Sequence, residues 1–371
     1  MIGVGLIAVP VRVLVIDDSA YVRQIIMQIL RTDPGIEVVG CASDAHQARE
    51  MIRQLNPDVL TLDIEMPRMD GLTFLRHLMR LRPMPVVMVS SLTERGAEVT
   101  LEALALGAVD FLPKPHTDQG TTLRDYAAEL VSKVKIAARA GLRPHPGPAV
   151  RSGQSLPAAA PKPARGLMSA GATDVIVAVG ASTGGTEAIR ELLAGLPIDA
   201  PGMVITQHIP KAFSAAFARR LNESGALEVR EAEDGQPIRP GHAYVAPGDC
   251  HLKVERRGTR YLCRLDRSAP VNHHRPSVDV LFESVAQAVG ARGIGVLLTG
   301  MGRDGARGLL QMRHAGGPTI AQDQATSVVW GMPGEAVALG AAQLVLPLLA
   351  VAARIVTLVA AMGVTGANRS A

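Results

Sequence analysis

VRVLVIDDSAYVRQIIMQIL (11–30) opens with a largely apolar, β-branched run. After two aspartates it continues with apolar residues at Val22, Ile25, Ile26, Ile29 and Leu30. The first half reads as a buried strand and the second as a helix with one apolar face. The same alternation repeats downstream. EVVGCA (37–42) precedes a helix that ends before Asn56-Pro57, and DVLTLD (58–63) precedes a helix that starts after Asp70-Gly71. PVVMVS (85–90) and DFLPKP (110–115) are each followed by a helix, the last over roughly 122–140. Five strands alternating with five helices predict a doubly wound parallel sheet of flavodoxin-like type over residues 11–140.

Residues 143–172 are rich in Pro, Ala and Gly and lack periodicity, so they read as a linker. A second strand-and-helix alternation begins at Asp174, with strand runs DVIVAV, MVIT, HAYVA and GIGVLLT. It predicts another parallel-sheet α/β unit. The expected division is an N-terminal extension (1–10), a first domain (11–140), a linker (141–172), a second domain (173–365) and a tail (366–371).

The bulk numbers exclude several classes. Lys and Arg exceed Asp and Glu by only 4 over 371 residues and are interspersed with them, which argues against a nucleic-acid binder. Cys41, Cys250 and Cys263 are odd in number and widely spaced, as in a reducing compartment without a disulfide framework or a zinc cluster. The apolar start MIGVGLIAVPV has no basic n-region. LVLPLLAVAARIVTLVAAMG is interrupted by Pro347 and Arg354, so it reads as a final strand and a core helix with no membrane insertion. A cytoplasmic location is expected.

Ligands of a doubly wound sheet gather at the carboxyl ends of its strands. Asp17 and Asp18 follow the first strand, Asp63 ends the third, Ser90 ends the fourth and Lys114 follows the fifth. Clustered carboxylates invite a hard cation such as Mg²⁺, and a carboxylate can accept a phosphoryl group. VIDDSA (15–20), LDIEMPRMDG (62–71), MVSS (88–91) and FLPKP (111–115) together resemble the receiver domain of two-component response regulators. The resemblance implies that Asp63 is phosphorylated. It implies that Asp17, Asp18, Asp63 and the Glu65 backbone carbonyl hold Mg²⁺, and that Ser90 and Lys114 contact the phosphoryl oxygens. It also implies a cis Lys114-Pro115 bond and puts Phe111 at the place of the family's switch aromatic, where core packing is the competing role.

VIVAVGASTGGTEAI (175–189) reads strand, Gly-rich turn, helix, and holds G-x-S-x-G around Ser182. A dinucleotide fingerprint would need glycine where Ser182 stands. His208 ends a strand on the same edge, and Asp304 lies in the Gly-rich loop after GIGVLLT. A Ser-His-Asp constellation can therefore assemble on one rim. His242, His251, His273, His274 and His314 are weaker base candidates, and Asp249, Asp279 and Asp323 weaker acid candidates. GASTGGTEAI, TQHIP, YVAPGDCHL, RPSVDVLF, LLTGMGRDGARG and QDQATSVVWGMP resemble the catalytic domain of protein-glutamate methylesterases, the CheB family of bacterial chemotaxis. The resemblance implies Ser182 as nucleophile, His208 as general base, Asp304 as its orienting acid and the Met301 backbone N–H as oxyanion donor. It implies no cofactor for ester hydrolysis. The expected partners are methyl-accepting chemoreceptors as substrate and a chemotaxis histidine kinase as phosphodonor. The domain order implies control of the hydrolase by phosphorylation at Asp63. The alternative is a non-enzymatic regulator whose second domain binds a nucleotide or a protein.

Overall fold

The computed structural model describes residues 9–91, 93–115, 123–140 and 174–367. The expected linker, and most of the expected N-terminal extension and tail, lie outside the described residues. The chain divides into two compact units, 1–149 and 150–371.

In the first unit, β1 (Val11–Ile16), α1 (Ala20–Leu30), β2 (Ile36–Ala42), α2 (Ala45–Leu55), β3 (Val59–Asp63), α3 (Gly71–Leu81), β4 (Val86–Ser90), α4 (Glu94–Ala105), β5 (Asp110–Pro113) and α5 (Leu123–Arg139) alternate strictly. The strand order is β2-β1-β3-β4-β5, and every pairing is parallel. This is the flavodoxin-like order, with the reversal beside β1. Side-chain oxygens start the helices: Ser19 caps α1, Asp44 caps α2, Asp70 caps α3 and Thr93 caps α4. α2 ends on Asn56, which takes a left-handed backbone before Pro57. Val13, Val15, Ile26, Leu30, Val87 and Leu130 share one buried cluster. Each such side chain contributes about 1.5–3 kcal/mol by leaving water.

The Lys114-Pro115 bond, expected cis, is not cis; among the described residues that geometry occurs at Arg275-Pro276. An X-Pro bond separates its isomers by only about 0.5–1 kcal/mol, so neighbours decide. Here the Lys114 N–H donates to the Ser90 carbonyl at 2.8 Å and continues the β4–β5 ladder.

The second unit contains β6 (Ile176–Ala181), α6 (Gly185–Ala194), β7 (Gly202–Gln207), α7 (Lys211–Ser224), β8 (Glu228–Glu231), β9 (His242–Val245), β10 (His251–Arg257), β11 (Arg260–Asp266), α8 (Val278–Ala288), β12 (Gly293–Leu297), α9 (Ala306–His314), β13 (Thr319–Gln322), α10 (Met332–Ala338), β14 (Leu344–Leu346) and α11 (Leu348–Ala367). Its seven-stranded sheet runs β14-β13-β12-β6-β7-β9-β8 and is parallel throughout. β10 and β11 form a separate antiparallel hairpin that packs on α8. Gly180 of β6 is needed for packing. A Cβ there would fall 2.1 Å from Val278 Cγ1, so only glycine lets the first residue of α8 press onto the strand. No described helix is long and apolar enough to cross a membrane. The apolar C-terminal stretch forms β14 and α11, as its interruptions predict.

Candidate functional site

In the first unit, the residues singled out at strand ends converge. Lys114 Nζ lies 2.8 Å from Asp63 Oδ2 and 3.5 Å from Asp17 Oδ2. Carboxylate oxygens of Asp17, Asp18 and Asp63 lie within 4.8 Å of one another. Asp63 is 0% exposed, and burial pushes its carboxyl up to about 6, with the Asp17 charge adding to the rise and Lys114 opposing it. Burial likewise raises Asp17 against the pull of Lys114. Asp17 Oδ2 and Asp63 Oδ1 are buried and accept no hydrogen bond. Three carboxylates so close together, with oxygens that accept no hydrogen bond, suit a hard divalent cation such as Mg²⁺. Ser90 is buried, with its Oγ accepting from Thr100 Oγ1 at 2.9 Å. Phe111 is 5% exposed, and Lys133 Nζ sits 5.4 Å from its ring centroid. It therefore occupies the core position that its apolar strand context allows.

In the second unit, Ala181 pairs with Gln207 across β6 and β7, so Ser182 and His208 leave adjacent strands at matched positions. The His208 N–H donates to the Ala181 carbonyl at 3.1 Å. The turn at Ser182 closes through Gly185 N to Ser182 O at 2.7 Å, with Gln207 Nε2 donating to the same carbonyl at 2.9 Å. The left-handed residue of this turn is Gly184, at φ 75°. Ser182 N donates to Thr299 O at 3.0 Å, which ties the Ser182 turn to the end of β12.

His208 Nε2 lies 2.8 Å from Asp304 Oδ2. The Asp304 carboxylate also accepts from Asn272 Nδ2 (2.7 Å), Ser277 Oγ (2.8 Å), Val278 N (2.7 Å) and Asp279 N (3.3 Å). Two of these donors are N–H groups of the first turn of α8, where the helix dipole also favours negative charge. Burial alone would raise the Asp304 carboxyl. The bond and charge of His208, then Asn272 and Val278, outweigh it and hold the group well below the usual carboxylate range. Asp304 is thus an anion, and His208 Nε2 is its donor. His208 Nδ1 is left buried with no hydrogen bond. No hydrogen bond joins it to Ser182 here, and such bonds commonly tighten only when substrate arrives.

Residues 177–355 match the family model described as CheB methylesterase, and residues 13–124 match the response regulator receiver domain. A protein named protein-glutamate methylesterase/protein-glutamine glutaminase 1, from Xanthomonas campestris pv. campestris, is 58% identical over 349 residues, covering 94% of this chain and 97% of that protein. The chain belongs to this methylesterase family. A second family member, from Pseudomonas aeruginosa, is 54% identical over 354 residues, covering 95% and 98% of the two chains. The crystal structure of the Thermotoga maritima CheB methylesterase catalytic domain is 37% identical, covers 50% of this chain and 98% of that one, and has a TM-score of 0.49.

Within this family frame the other candidates separate. His242 starts β9 and His314 ends α9, both outside the Ser182 rim. His251 is buried, with its ring nitrogens engaged by Ala269 O and Ser277 N. Asp323 caps the 323–327 turn through Thr326 and Ser327. Asp249 pairs with Lys211 at 3.4 Å. Asp279 lies beside Asp304 and shares Asn272 with it. Met301 follows Gly300, whose carbonyl accepts from Gly331 and Met332. His274, a weaker base candidate from the sequence, stacks on His208 with ring centroids 3.7 Å apart and planes 13° from parallel. No sequence spacing marks it.

Gly300 fits tightly against Ser182. A Cβ on it would lie 2.8 Å from Ser182 Cβ and 2.3 Å from Met332 Sδ. Gly300→Ala should therefore cost about 1–3 kcal/mol of stability through overpacking. It should also slow labelling of Ser182 by a fluorophosphonate. Denaturant unfolding and timed labelling check both, and a variant that labels at the wild-type rate would contradict the tight fit.

Proposed function

We propose that the second unit hydrolyses the methyl esters of glutamyl side chains on chemoreceptors, and deamidates receptor glutamines by the same acyl chemistry, under control of phosphorylation at Asp63. The observation that carries the reading is the His208–Asp304 pair beside Ser182, with the second imidazole nitrogen unbonded.

In this reading His208 Nδ1 takes the Ser182 Oγ proton as the oxygen attacks the ester carbonyl. The tetrahedral oxyanion is met by the Met301 backbone N–H, a type of contact whose loss costs about 10²–10³-fold. His208 returns its proton to the departing methoxide, and methanol leaves. Water, deprotonated by the same nitrogen, attacks the acyl-serine and releases the free carboxylate and Ser182. With a glutamine substrate the leaving group is ammonia. Asp304 stays ionised throughout and balances the imidazolium that forms at each step.

In the receiver, Asp17, Asp18, Asp63 and the Glu65 carbonyl would hold Mg²⁺, which supplies positive charge against the phosphoryl oxygens. Asp63 is the attacking carboxylate, and Lys114, 2.8 Å from it, and Ser90 would meet the incoming oxygens. The kinase partner is a chemotaxis histidine kinase. Three free thiols, Cys41, Cys250 and Cys263, support a reducing, cytoplasmic compartment.

The test is methanol release from a methylated receptor by the full chain, with and without a small-molecule phosphodonor and Mg²⁺. Stimulated release supports the reading. Absence of release in both conditions, with tight nucleotide binding instead, would support the non-enzymatic alternative. Asp63→Asn should reduce phosphate incorporation to background, read by intact-mass measurement. It should also leave the receiver no less stable without Mg²⁺, because it removes one of two repelling buried carboxylates.

A further inference from the structure

Val271 and His274 exchange both backbone hydrogen bonds, at 3.0 and 2.9 Å, and enclose a two-residue turn. Its central residues, Asn272 and His273, have φ of 52° and 66°. Such a turn favours asparagine then glycine. A histidine at the second position is strained, at a cost on the order of 1–2 kcal/mol. Strain of this kind persists where the surroundings fix it, and the surroundings here are the two heavier members of the proposed triad.

Asn272 reaches inward. Its Nδ2 donates to Asp304 Oδ1 and to Asp279 Oδ2, both at 2.7 Å. Both partners are carboxylates, so the nitrogen of the amide must face them. The amide thus separates two buried acids that would otherwise repel, Asp279 being further held by Gly308 N at 2.7 Å. Two residues on, the His274 ring covers one face of His208 at 3.7 Å. The Asp304 bond fixes only one point of the imidazole and leaves it free to swing about that point. A flat ring pressed parallel to it removes this freedom.

We infer that the 271–274 turn is a positioning device for the hydrolytic site: Asn272 fixes the Asp304 carboxylate, and His274 holds the His208 ring in the plane that keeps Nδ1 available to Ser182. This rests on the Ser182-His208-Asp304 reading. His274 and Asn272 act through other residues and are positioning residues.

The test uses the full chain, activated by a phosphodonor with Mg²⁺, and a methylated receptor as substrate. His274→Ala should lower kcat up to about 10²-fold, the scale of a slightly misplaced reacting group, with KM changed less than about twofold. Fluorophosphonate labelling of Ser182 should slow in parallel. His274→Phe, which restores a flat face, should recover most of the lost kcat. Should the alanine variant unfold at the assay temperature, His274→Leu takes its place, filling the volume without a flat face. The inference is overturned if the alanine or leucine variant keeps its kcat, if the loss falls on KM, or if phenylalanine does no better than alanine. Ser182→Ala is run alongside. Full activity there would sink the triad itself, whereas a dead Ser182→Ala with an unimpaired His274→Ala would sink only the role of the turn.

Discussion

Ser182→Ala should abolish methanol release from a methylated receptor, by on the order of 10⁶-fold in kcat, the scale seen when the nucleophile of such a site is removed. The fold should hardly notice. The turn is held by Ser182 N to Thr299 O, by Gly185 N to Ser182 O and by Gln207 Nε2 to the same carbonyl, and none of these uses the hydroxyl. Stability should therefore stay within about 0.5 kcal/mol of wild type. Members of one catalytic unit are not additive, so Ser182→Ala combined with His208→Ala should be scarcely slower than Ser182→Ala alone. Methanol assays on both, with a denaturant melt as control, decide the matter. Residual release above a per cent of wild type from well-folded protein would remove Ser182 from the mechanism.

Asp304→Asn should cost on the order of 10⁴-fold in kcat. Unlike the serine change it should also destabilise the second unit. Both oxygens of Asp304 are surrounded by donors: His208 Nε2 and Val278 N on one, and Asn272, Ser277 and Asp279 on the other. Either orientation of an asparagine amide turns an NH₂ toward a donor. Each buried donor left unsatisfied costs about 1–3 kcal/mol. The asparagine also forces a choice on His208, because an NH₂ facing Nε2 moves the ring proton to Nδ1, the atom needed as base. The pH dependence follows from the depressed carboxyl. A group held below its unfolded value of about 3.9 contributes its full stability above that pH and loses it as pH falls toward the folded value. The wild-type unit should thus outlast Asp304→Asn near neutrality, and the gap should close in strong acid. Melts across pH check this. A gap that widens toward acid would mean that Asp304 is not the buried anion.

Much of both sites was readable in the sequence because parallel strands deliver their carboxyl ends to one edge. VRVLVIDD puts Asp17 and Asp18 at the edge that also receives Asp63, Ser90 and Lys114. The same rule brings Ser182 beside His208. What was not readable depends on side-chain direction. The imidazole nitrogen that faces Asp304 is set by the approach of α8, which no local pattern encodes. Phe111 is buried because Lys133 of α5 closes over it. The β10–β11 hairpin is the exception, because HLKVERRGTRYLCRLD (251–266) alternates around Gly258-Thr259 and so carries its strand period in the sequence. The stacking of His274 on His208 is not readable for a stronger reason. Its position depends on two successive left-handed residues, and only Asn272 hints at them.

Ser182 and His208 stand one residue past a paired position on neighbouring strands, so their separation follows the sheet's own lattice, about 4.8 Å from strand to strand. A flexible loop could be pulled out of line by a bound regulator, but two rungs of a seven-stranded ladder cannot. The spacing of these two backbones is therefore built into the sheet itself.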